Sequence, residues 1–453
     1  MKRFIETIKN IFKIEELRKR ILYTLGIIVI YRIGSFIVLP GIDPTQLANL
    51  QSQTSDGLLG LLNMFSGGAF SNASVFALGI MPYISASIII QLFGMAIPYF
   101  QKLQKEGESG RRKMNQITRV LTIAVTALQA PAYLTNLTTQ LPAEAFIPFN
   151  GANPGAFFWI SSCILLTAGT LFVMWLGERI TDNGIGNGIS LIIMIGIIAR
   201  LPFALFGEFV SRLEQQGGGL VVFLLELVVL IVVILLCILL VQGTRRIPVQ
   251  YAKRIVGNKQ YGGVRQYLPL KVNAAGVMPI IFAQAIMFIP VTIAGFASPE
   301  SVNSGFWRVF MDFNSFGYNL VFALMIIMFT YFYTAITMNS QQIAEDLKKN
   351  GGFIPGIKPG KRTAEFIDDV ISHITLPGSI FLALVAVLPA IVRIFGVSTQ
   401  FAQFYGGTSL LILVGVVLDT LQQIESHLLM RHYDGLTKSG RIKGRMGGAY
   451  GVA

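Results

Sequence analysis

Residues 63–93 read NMFSGGAFSNASVFALGIMPYISASIIIQLF, and this stretch combines two unlike pieces. The second piece, VFALGIMPYISASIIIQLF, is a continuous apolar run of the kind that crosses a membrane as a helix. The first piece, Asn63–Phe70, is too apolar for a solvated loop and too short to span a bilayer, which takes about 20 residues. Its paired Gly67 and Gly68 each cost about 1 kcal/mol inside a helix. The octet is therefore predicted to be a small, loosely helical apolar piece beside a membrane span.

The whole chain has the composition of a membrane protein. Of its 453 residues, 53% are hydrophobic and only 13% are charged, and the mean hydropathy is +0.63. Soluble domains carry about 25% charged residues, so this composition predicts a polytopic membrane protein. Residues 1–20 have apolar side chains at helical spacing and no small-residue cleavage site before the first apolar run. They are predicted to form a surface helix rather than a cleaved signal peptide.

Apolar runs of about 18 residues or more predict ten transmembrane helices in an all-α fold. The ten runs lie near residues 21–40, 73–97, 117–138, 155–178, 187–206, 219–242, 273–295, 317–338, 373–393 and 405–427. Ten spans divide into halves of five, and because five is odd, the second half begins on the opposite side of the membrane. We therefore expect two inverted halves, residues 1–206 and 207–427, followed by a tail at 428–453. Inverted halves usually place the working site between them near the midplane.

The net charge of +13 is concentrated on one side of these spans. Of the 36 Lys and Arg residues, 31 fall in segments that lie inside if the N-terminus is inside. An excess of basic residues is typical of cytoplasmic loops. Both termini are therefore predicted to be cytoplasmic, and the positive charge follows from membrane orientation rather than from nucleic-acid binding.

Two cytoplasmic loops are long, residues 243–272 and 339–372. The first has seven basic residues and no Asp or Glu, whereas the second mixes both signs around the turn sequence FIPGIKPGKR. Basic loops can simply orient the protein and contact anionic lipid. Orientation does not require loops of this length with separated lysines at Gly-Pro turns, so docking of a partner is favoured.

No pattern in the sequence predicts an enzyme, a cofactor or a metal site. The three histidines lie at or near span ends without a catalytic or metal-ligand spacing. The fragment GIGNGIS at 184–190 lacks the lysine and the preceding strand of a phosphate loop. Cys163 and Cys237 both fall in apolar spans and are interpreted as packing residues.

An ion-coupled transporter would need ionisable groups at membrane depth. The candidates in the predicted spans are Arg32, Glu178, Glu226, Asp419 and Glu425. Glu226 lies seven residues after Gly219, about 10 Å into its span, so we expect it to reach outward to the polar surface. Arg32 and Asp419 are deeper and are expected to pair with other groups. A coupled small-solute transporter is the main alternative to a channel, and a purely structural scaffold is a third.

Isoleucines recur at helical spacing beside small polar residues in two spans. Ile80 and Ile84 are four residues apart in GIMPYISAS, and Ile189 and Ile193 repeat that spacing in NGISLII. Such stripes most often face a core or lipid. Their serine and asparagine neighbours favour a second interpretation, in which stiff β-branched side chains form a narrow, non-wetting constriction.

Several long blocks of the chain resemble the SecY family of protein-conducting channel subunits. They are FSGGAFSNASVFALGIMPYISASIIIQ, KEGESGRRKMNQITR, MWLGERITDNGIGNGIS, RRIPVQYAKR, LPLKVNAAGVMPIIFA, GFIPGIKPGKRTAEF and FGVSTQFAQFYGGTSLLI. The resemblance covers nearly the whole chain. It implies a channel that passes unfolded polypeptides across the bacterial plasma membrane and releases apolar segments sideways into lipid, with energy supplied by partners.

The resemblance also implies what the octet does. The segment that matches residues 58–72 is a plug that folds back into the outer funnel in this family, and a weakly held piece can be displaced by a passing chain. The plug residues carried over are Asn63, Met64, Phe65, Ser66, Gly67 and Gly68. The implied pore ring consists of Ile80, Ile84, Ile189, Ile193, Ile281 and Ile412.

A lateral gate is implied between span 2, about residues 75–97, and span 7, about residues 276–295. Its expected polar lining consists of Ser85, Ser87, Gln91 and Gln284. The two long loops correspond to the family's docking surface for the SecA motor and the ribosome, including ribosomal RNA and protein. The expected docking residues are Arg245, Arg246, Lys253, Arg254 and Lys358. SecE-like and SecG-like subunits are the other implied partners.

Two positions depart from the family pattern. Lys358 stands in PGIKPG where the pattern has PGIRPG, so it keeps the charge but lacks the bidentate fork of arginine. The contact with the motor is therefore expected to be weaker or rearranged. Glu226 lies in a span that is expected to be uncharged.

Overall fold

A computed structural model describes most of the chain, with gaps. The described residues are 14–47, 63–142, 145–146, 155–214, 219–251, 254–256, 259–261, 265–295 and 315–438. Most of the predicted surface helix, the plug positions 58–62, Lys253 and the end of the tail lie outside the described residues.

Long helices account for the first predicted half. They are α1 (Glu15–Gly34), α2 (Met81–Ala96), α3 (Pro98–Lys105), α4 (Glu108–Gln140), α5 (Ala156–Asn183) and α6 (Gly188–Glu214). The apolar composition and length of α4, α5 and α6 are sufficient to cross a membrane. Within the first half, α2 packs on α4, α4 on α5, and α5 on α6.

The second predicted half continues with helices and with a sheet in the two loops that are predicted to be cytoplasmic, which we call the cytoplasmic sheet after that prediction. The helices are α7 (Gly219–Gln242), α8 (Met278–Gly295), α9 (Phe316–Thr337), α10 (Ser340–Lys349), α11 (Lys361–Ile394), α12 (Thr399–Ala402) and α13 (Gly407–Lys438). In this half α9 packs between α8 and α11, and α13 packs on both α7 and α6. Through its contact with α6, α13 joins the two halves.

The predicted multi-pass helical architecture is confirmed. Seven described helices are long and apolar enough to cross a membrane, or eight if the bent pair α2 and α3 counts as one span. Each of the ten predicted spans overlaps one described helix, and the count of ten itself stays a prediction.

The second span begins later than predicted. Residues 73–80 form turns, and the helix begins at Met81 rather than near residue 73. The backbone of 73–75 instead pairs with residues near Ile37–Leu39, where Val75 N donates to Ile37 O at 2.9 Å. Gly79 at φ +54° and Pro82 at the helix start explain why regular helix begins only there.

The long loops contain β-strands, whereas the sequence pattern predicts an all-α fold. Strands β1 (Thr244–Tyr251), β4 (Arg265–Lys271) and β5 (Gly352–Phe353) form an antiparallel sheet in the order β4-β1-β5. Strands β2 (Arg254–Val256) and β3 (Lys259–Tyr261) form a separate pair. The three-stranded sheet therefore joins both predicted docking loops into one surface.

Candidate functional site

The segment 63–72 folds as one helical turn followed by a chain of tight turns. Asn63 organises it, because its carbonyl accepts from Gly68 N at 2.8 Å and its side-chain Oδ1 accepts from Ser71 N at 3.0 Å. Gly67 and Gly68 have φ values of +66° and +94°, a left-handed conformation that strongly favours glycine. The two glycines therefore reverse the chain and end the helical turn.

The same glycines allow close approach to α6. A β-carbon at Gly67 would lie 2.8 Å from the Cα of Gly196, closer than real β-carbons approach other atoms. A β-carbon at Gly68 would lie 2.8 Å from a guanidinium nitrogen of Arg200. The segment thus contacts the backbone of α6 at a point where neither residue has room for a side chain.

Four side-chain donors from neighbouring helices stabilise the segment. The bonds are Tyr31 Oη to Ser66 O at 3.1 Å, Arg32 Nη1 to Gly67 O at 2.9 Å, Tyr133 Oη to Phe70 O at 2.8 Å and Arg200 Nη2 to Ser71 Oγ at 2.9 Å. Each such bond contributes about 0.5–1.5 kcal/mol net. We call these four donors, Gly196 and the five isoleucines of the apolar cluster described next the plug seat, after the predicted role of the segment.

An apolar cluster lies at the centre of the plug seat. It contains Met64 and Phe65 of the segment together with five of the six predicted ring isoleucines. Those five are Ile80, Ile84, Ile189, Ile193 and Ile412, contributed by the start of α2, by α6 and by α13. The sixth, Ile281 of α8, is half-buried, and its neighbour Ile280 belongs to a second cluster within the predicted second half. The assignment of the ring stays a prediction.

A cavity of about 280 Å³ borders the segment. Its lining combines Gly67 and Gly68 with Arg32, Arg200 and the amide side chains of Gln400 and Gln403. The first arginine comes from α1 and the second from α6, whereas both glutamines come from the region of α12. The cavity therefore brings two arginines and two amide side chains close to the segment, beside apolar residues that include Met64 and Phe404.

The predicted gate residues lie on two separate helices. On α2, Ser87 and Gln91 are four residues apart and share a face, whereas Ser85 is turned about 200° from Ser87. All three are half-buried. On α8, Gln284 lines a second cavity of about 120 Å³, where its Nε2 lies 3.5 Å from Thr408 Oγ1 of α13. Their role in a gate stays a prediction.

The predicted docking residues lie on or near the cytoplasmic sheet. Arg245 and Arg246 are exposed on β1, while Ile247 and Val249 of the same strand are buried in a cluster under the sheet. Lys358 is exposed on the turn that precedes α11. Arg254 lies in β2, and Lys253 is outside the described residues. The sheet therefore gives the two described arginines of β1 a rigid, outward-facing support.

Two of the charged residues predicted at membrane depth are held by specific partners. Glu178 accepts from both Nε and Nη2 of Arg119 at 2.9 and 2.8 Å. Arg32 donates to the segment 63–72, as described above, and its guanidinium also lies 5.2 Å from the ring of Phe36. Both residues therefore hold neighbouring elements of the structure together.

The expectation for Glu226 is wrong. Its side chain does not reach outward; it is buried at 6% exposure and bonds to Arg212 of α6. An ionised carboxylate in an apolar span is costly unless it is paired, and Arg212 is the nearby cation that makes burial tolerable. The residue reaches across to a neighbouring helix instead of to the surface.

Sequence reasoning missed Tyr31, Tyr133, Gly196 and Arg200 as parts of the plug seat. Arg200 contacts Ser71, which is 129 positions away in the chain. A signal existed, because a second arginine in the outer part of a span is unusual. Nothing in local periodicity indicates which turn it would contact.

Comparisons with known proteins agree with the resemblance noted in the sequence. The family model described as SecY matches residues 74–421. The protein translocase subunit SecY of Streptomyces galbus is 44% identical over 94% of this chain and 98% of its own length. The corresponding subunit of Halalkalibacterium halodurans is 45% identical, with coverages of 95% and 99%.

Two solved structures have a similar fold at low sequence identity. One is a SecY protein whose plug domain stabilises the closed state of the translocation channel and maintains a membrane seal. It has a TM-score of 0.60 at 17% identity, covering 90% of this chain and 92% of that one. The other is the idle yeast Ssh1 complex bound to the yeast 80S ribosome, with a TM-score of 0.55 at 14% identity and coverages of 96% and 94%.

Proposed function

The chain belongs to the SecY family, and we propose on that premise that it forms the pore of a protein-conducting channel in a bacterial plasma membrane. The channel passes unfolded polypeptides outward and releases hydrophobic segments into lipid. Both chain termini are on the cytoplasmic side, where the sequence concentrates its basic residues.

The observation that carries this proposal is the plug seat. A short segment that cannot span a membrane is buried against isoleucines from three separate helices of the two predicted halves. Its contacts with the helices are apolar packing and single hydrogen bonds, because residues 63–72 contain no ionisable side chain and no cysteine. Such contacts are individually weak, so a passing polypeptide can replace them one at a time.

The proposal also includes a pore ring and a lateral gate. The isoleucines form a non-wetting constriction that closes around the plug when the channel is idle. Hydrophobic segments leave between α2 and α8, where Ser85, Ser87, Gln91 and Gln284 supply a polar lining. The polar side chains reduce the cost of opening this gap to a hydrated chain.

Partners supply the energy and the outer frame of the complex. SecE-like and SecG-like subunits cover part of the apolar exterior, which includes exposed large side chains along α1 and α7. A SecA-like motor and the ribosome dock on the cytoplasmic sheet through its arginines. Anionic lipid headgroups pair with basic residues near the same face.

Labelling of a cysteine at Phe65 tests the plug. Cys163 and Cys237 are first replaced by Ala, and the variant Phe65→Cys is reconstituted with the partner subunits and the motor. Phe65 is 7% exposed in the closed structure, so an impermeant thiol reagent on the outer side should react slowly in idle vesicles. Labelling should increase while a secretory precursor is being transported.

A control and two outcomes complete this test. Thr45→Cys, at an exposed turn after α1, should label equally in idle and active vesicles. Equal labelling of Phe65→Cys in both conditions would show that the segment does not move. If the purified subunit, without partners, carries ions only when a small solute is also transported, the result would instead favour a coupled transporter.

A further inference from the structure

Two arginines from different helices contact the segment at neighbouring points. Arg32 of α1 donates from Nη1 to Gly67 O at 2.9 Å. Arg200 of α6 donates from Nη2 to Ser71 Oγ at 2.9 Å. A β-carbon at Gly67 would lie 2.9 Å from the first of these nitrogens, and one at Gly68 would lie 2.8 Å from the second. The two guanidinium groups therefore flank two successive glycines of the segment.

Neither arginine has an acidic partner among the described residues. In that part of the chain Arg212 pairs with two glutamates, but no ion pair includes Arg32 or Arg200. Each of these two makes one hydrogen bond there, although a guanidinium carries five N–H donors. Phe36 covers one face of Arg32 at 5.2 Å, and the donors lie in the plane of the group. The described residues thus leave positive charge and N–H donors unbalanced at this place.

Both arginines line the cavity of about 280 Å³ beside the segment. The described residues that line this cavity include four amide side chains, which can donate N–H bonds, and no Asp or Glu. The amides are Asn63 and Asn72 of the segment and Gln400 and Gln403 in the region of α12. A water molecule takes up about 30 Å³ in the liquid, so the cavity has room for a small anion with part of its hydration shell.

The charges in this cavity favour an anion over any other small ligand. Arg32 and Arg200 are both half-buried, so water screens their repulsion less than it would on an open surface. An anion between them offsets that repulsion and accepts N–H bonds from both. Hydrogen bonds to an ionised acceptor are shorter and stronger than bonds between neutral groups. A cation would meet two like charges instead.

We propose that this cavity binds a small inorganic anion between Arg32 and Arg200. The bound anion connects α1 and α6 to the segment and stabilises the segment in its closed position. Arg200 lies 12 residues after Gly188, about 18 Å along α6 from its predicted cytoplasmic end, so the anion enters from the outer side. Binding itself does not depend on the proposed function, whereas the effect of the anion on the seal rests on it.

The site is complete only while the segment is in place. Displacement of the segment would remove Gly67, Gly68 and two asparagines from the lining of the cavity. A ligand that binds one of two states shifts the equilibrium toward that state. At an anion concentration of about ten times the dissociation constant, the unplugged fraction should therefore fall about tenfold. The seal of the idle channel then depends on the anions outside.

Labelling of Phe65→Cys measures this dependence, with chloride as the probe. The complete complex, in which Ala replaces Cys163 and Cys237, is reconstituted without motor or precursor in vesicles of phosphatidylcholine. Chloride outside is replaced stepwise by gluconate at constant ionic strength, so that screening stays the same. The reaction of the cysteine with an uncharged, impermeant thiol reagent should be about tenfold slower in saturating chloride than in gluconate.

Four variants in the same background separate anion binding from structural support. Arg200→Gln removes one charge, so labelling should be equal in chloride and gluconate, whereas Arg200→Lys should keep a reduced chloride effect. Ser71→Ala removes the bond to Arg200 but leaves both guanidinium groups, so labelling should rise in both salts while its ratio between them stays about tenfold. Arg393→Gln removes a charge from the separate cavity of about 120 Å³ and should behave like the parent.

Thermal unfolding of the same complex in a neutral detergent measures binding without reference to the seal. The unfolding temperature of the parent should rise with chloride at constant ionic strength, because the ligand binds the folded state. That of Arg200→Gln should not change. A chloride effect on unfolding without one on labelling would retain the anion site and count against the segment as the closing element, which is part of the proposed function.

A carboxylate of the chain itself is the main competitor for this position. Asp56 is the acidic residue nearest to the segment in the sequence, and it lies outside the described residues. Asp56→Asn should leave the chloride effect unchanged if a free anion binds. A chloride effect that is present only in Asp56→Asn would identify this carboxylate as the natural partner of the arginines and overturn the proposal.

Three further results would also overturn it. The first is equal labelling and equal unfolding of the parent in chloride and gluconate, which would leave the proposed function standing if the same complex transports a precursor. The second is a chloride effect that survives Arg200→Gln, since the anion would then act elsewhere. The third is loss of the chloride effect when phosphatidylglycerol is added to the vesicles, which would identify a lipid headgroup as the occupant.

Discussion

The plug seat and the cytoplasmic sheet differ in the forces that stabilise their contacts. The plug seat consists of isoleucines, Gly196 and four donors, of which three bond to backbone carbonyls and one to a serine hydroxyl, and most of its surface is buried. The sheet is apolar underneath and presents Arg245 and Arg246 to solvent. The first region depends on close packing over short distances, whereas the second acts through charge over about 8 Å at physiological ionic strength.

Under the proposed function, this difference separates two tasks within one chain, sealing and docking. Sealing requires contacts that salt does not weaken, because ions are what the seal must exclude. Docking benefits from charge, because long-range attraction speeds association with an acidic or RNA-bearing partner. Substitutions in one region should therefore leave the property of the other intact, and the variants below test that independence.

The largest effect is expected from opening the constriction. Ile84→Gly combined with Ile193→Gly removes two side chains from the cluster that holds Met64 and Phe65. Loss of a buried isoleucine side chain costs about 2–5 kcal/mol, and each loss of about 1.4 kcal/mol from plug binding raises the unplugged fraction about tenfold. Ion leakage through idle reconstituted vesicles should rise steeply, while motor binding stays normal.

Folding must be verified for this double variant. Co-purification with the SecE-like subunit serves as the check, because an unfolded chain would not assemble. Unchanged leakage in an assembled double variant would remove Ile84 and Ile193 from the seal. Loss of motor binding would show that the two regions are not independent.

The next effect concerns the sheet. Changing Arg245, Arg246 and Arg254 to Glu reverses three charges in the basic loop 243–272. If each contributes about 1 kcal/mol, the upper end for exposed ion pairs, the partner loses about 3 kcal/mol of binding energy. Ribosome and motor binding should weaken and lose its dependence on salt, and most transport should be lost. Leakage of the idle channel should not change.

Co-sedimentation with ribosomes and leakage are measured on the same preparation. Binding that survives the triple reversal would place the docking surface elsewhere, with the mixed-charge loop around Lys358 as the better candidate. A change in leakage would mean that the sheet affects the seal.

The contrast between the two regions also shows what the sequence could predict. Ile80 and Ile84, like Ile189 and Ile193, repeat at helical spacing, and all four lie in the cluster that contains Met64 and Phe65. Their role as a pore ring stays a prediction. The sequence Arg246-Ile247-Pro248-Val249 alternates exposed and buried residues, a pattern typical of a β-strand in the basic loop. The partners of the plug could not be predicted, because the contacts of Tyr133 and Arg200 with it depend on how distant helices pack.

Glu226 illustrates the same limit. The position of Glu226 along its helix predicts its depth in the membrane, and that depth alone predicts a side chain that reaches outward. The presence of Arg212 on α6 decides the matter, since a nearby cation allows the carboxylate to be buried. Local sequence contains both residues, but only the packing of α6 on α7 brings them together.

A smaller effect is expected at the glycine contact between plug and α6. Gly67→Ala puts a methyl group 2.8 Å from Gly196 Cα at a residue with φ +66°. The left-handed conformation costs about 1–2 kcal/mol for an alanine, and the collision adds to it. Idle leakage should rise, but less than in the isoleucine variant. Gly276→Ala is the matched control, since its φ is +63° and the space around its β-carbon position is open.

Comparison of these two glycine variants separates collision from backbone strain. Similar leakage in both would attribute the effect to the left-handed backbone alone. Leakage in Gly67→Ala only would establish that the close contact with α6 is part of the seal. No leakage in either variant would count against the seat as described.

The smallest effect is expected at Lys358, and it sharpens the description of the docking region. Lys358→Arg keeps the charge and adds a planar fork that can pair with a carboxylate through two hydrogen bonds. The side chain is exposed, so the gain in motor binding should be about 0.5 kcal/mol, or about twofold, and should be reduced by salt. Motor affinity measured at low and high ionic strength, with Lys361→Arg on the neighbouring turn as the control, checks this.

A gain that does not depend on salt would indicate a buried contact at Lys358 rather than a surface ion pair. Equal gains for both variants would mean that the motor responds to arginine anywhere on this loop, so that position 358 has no special role.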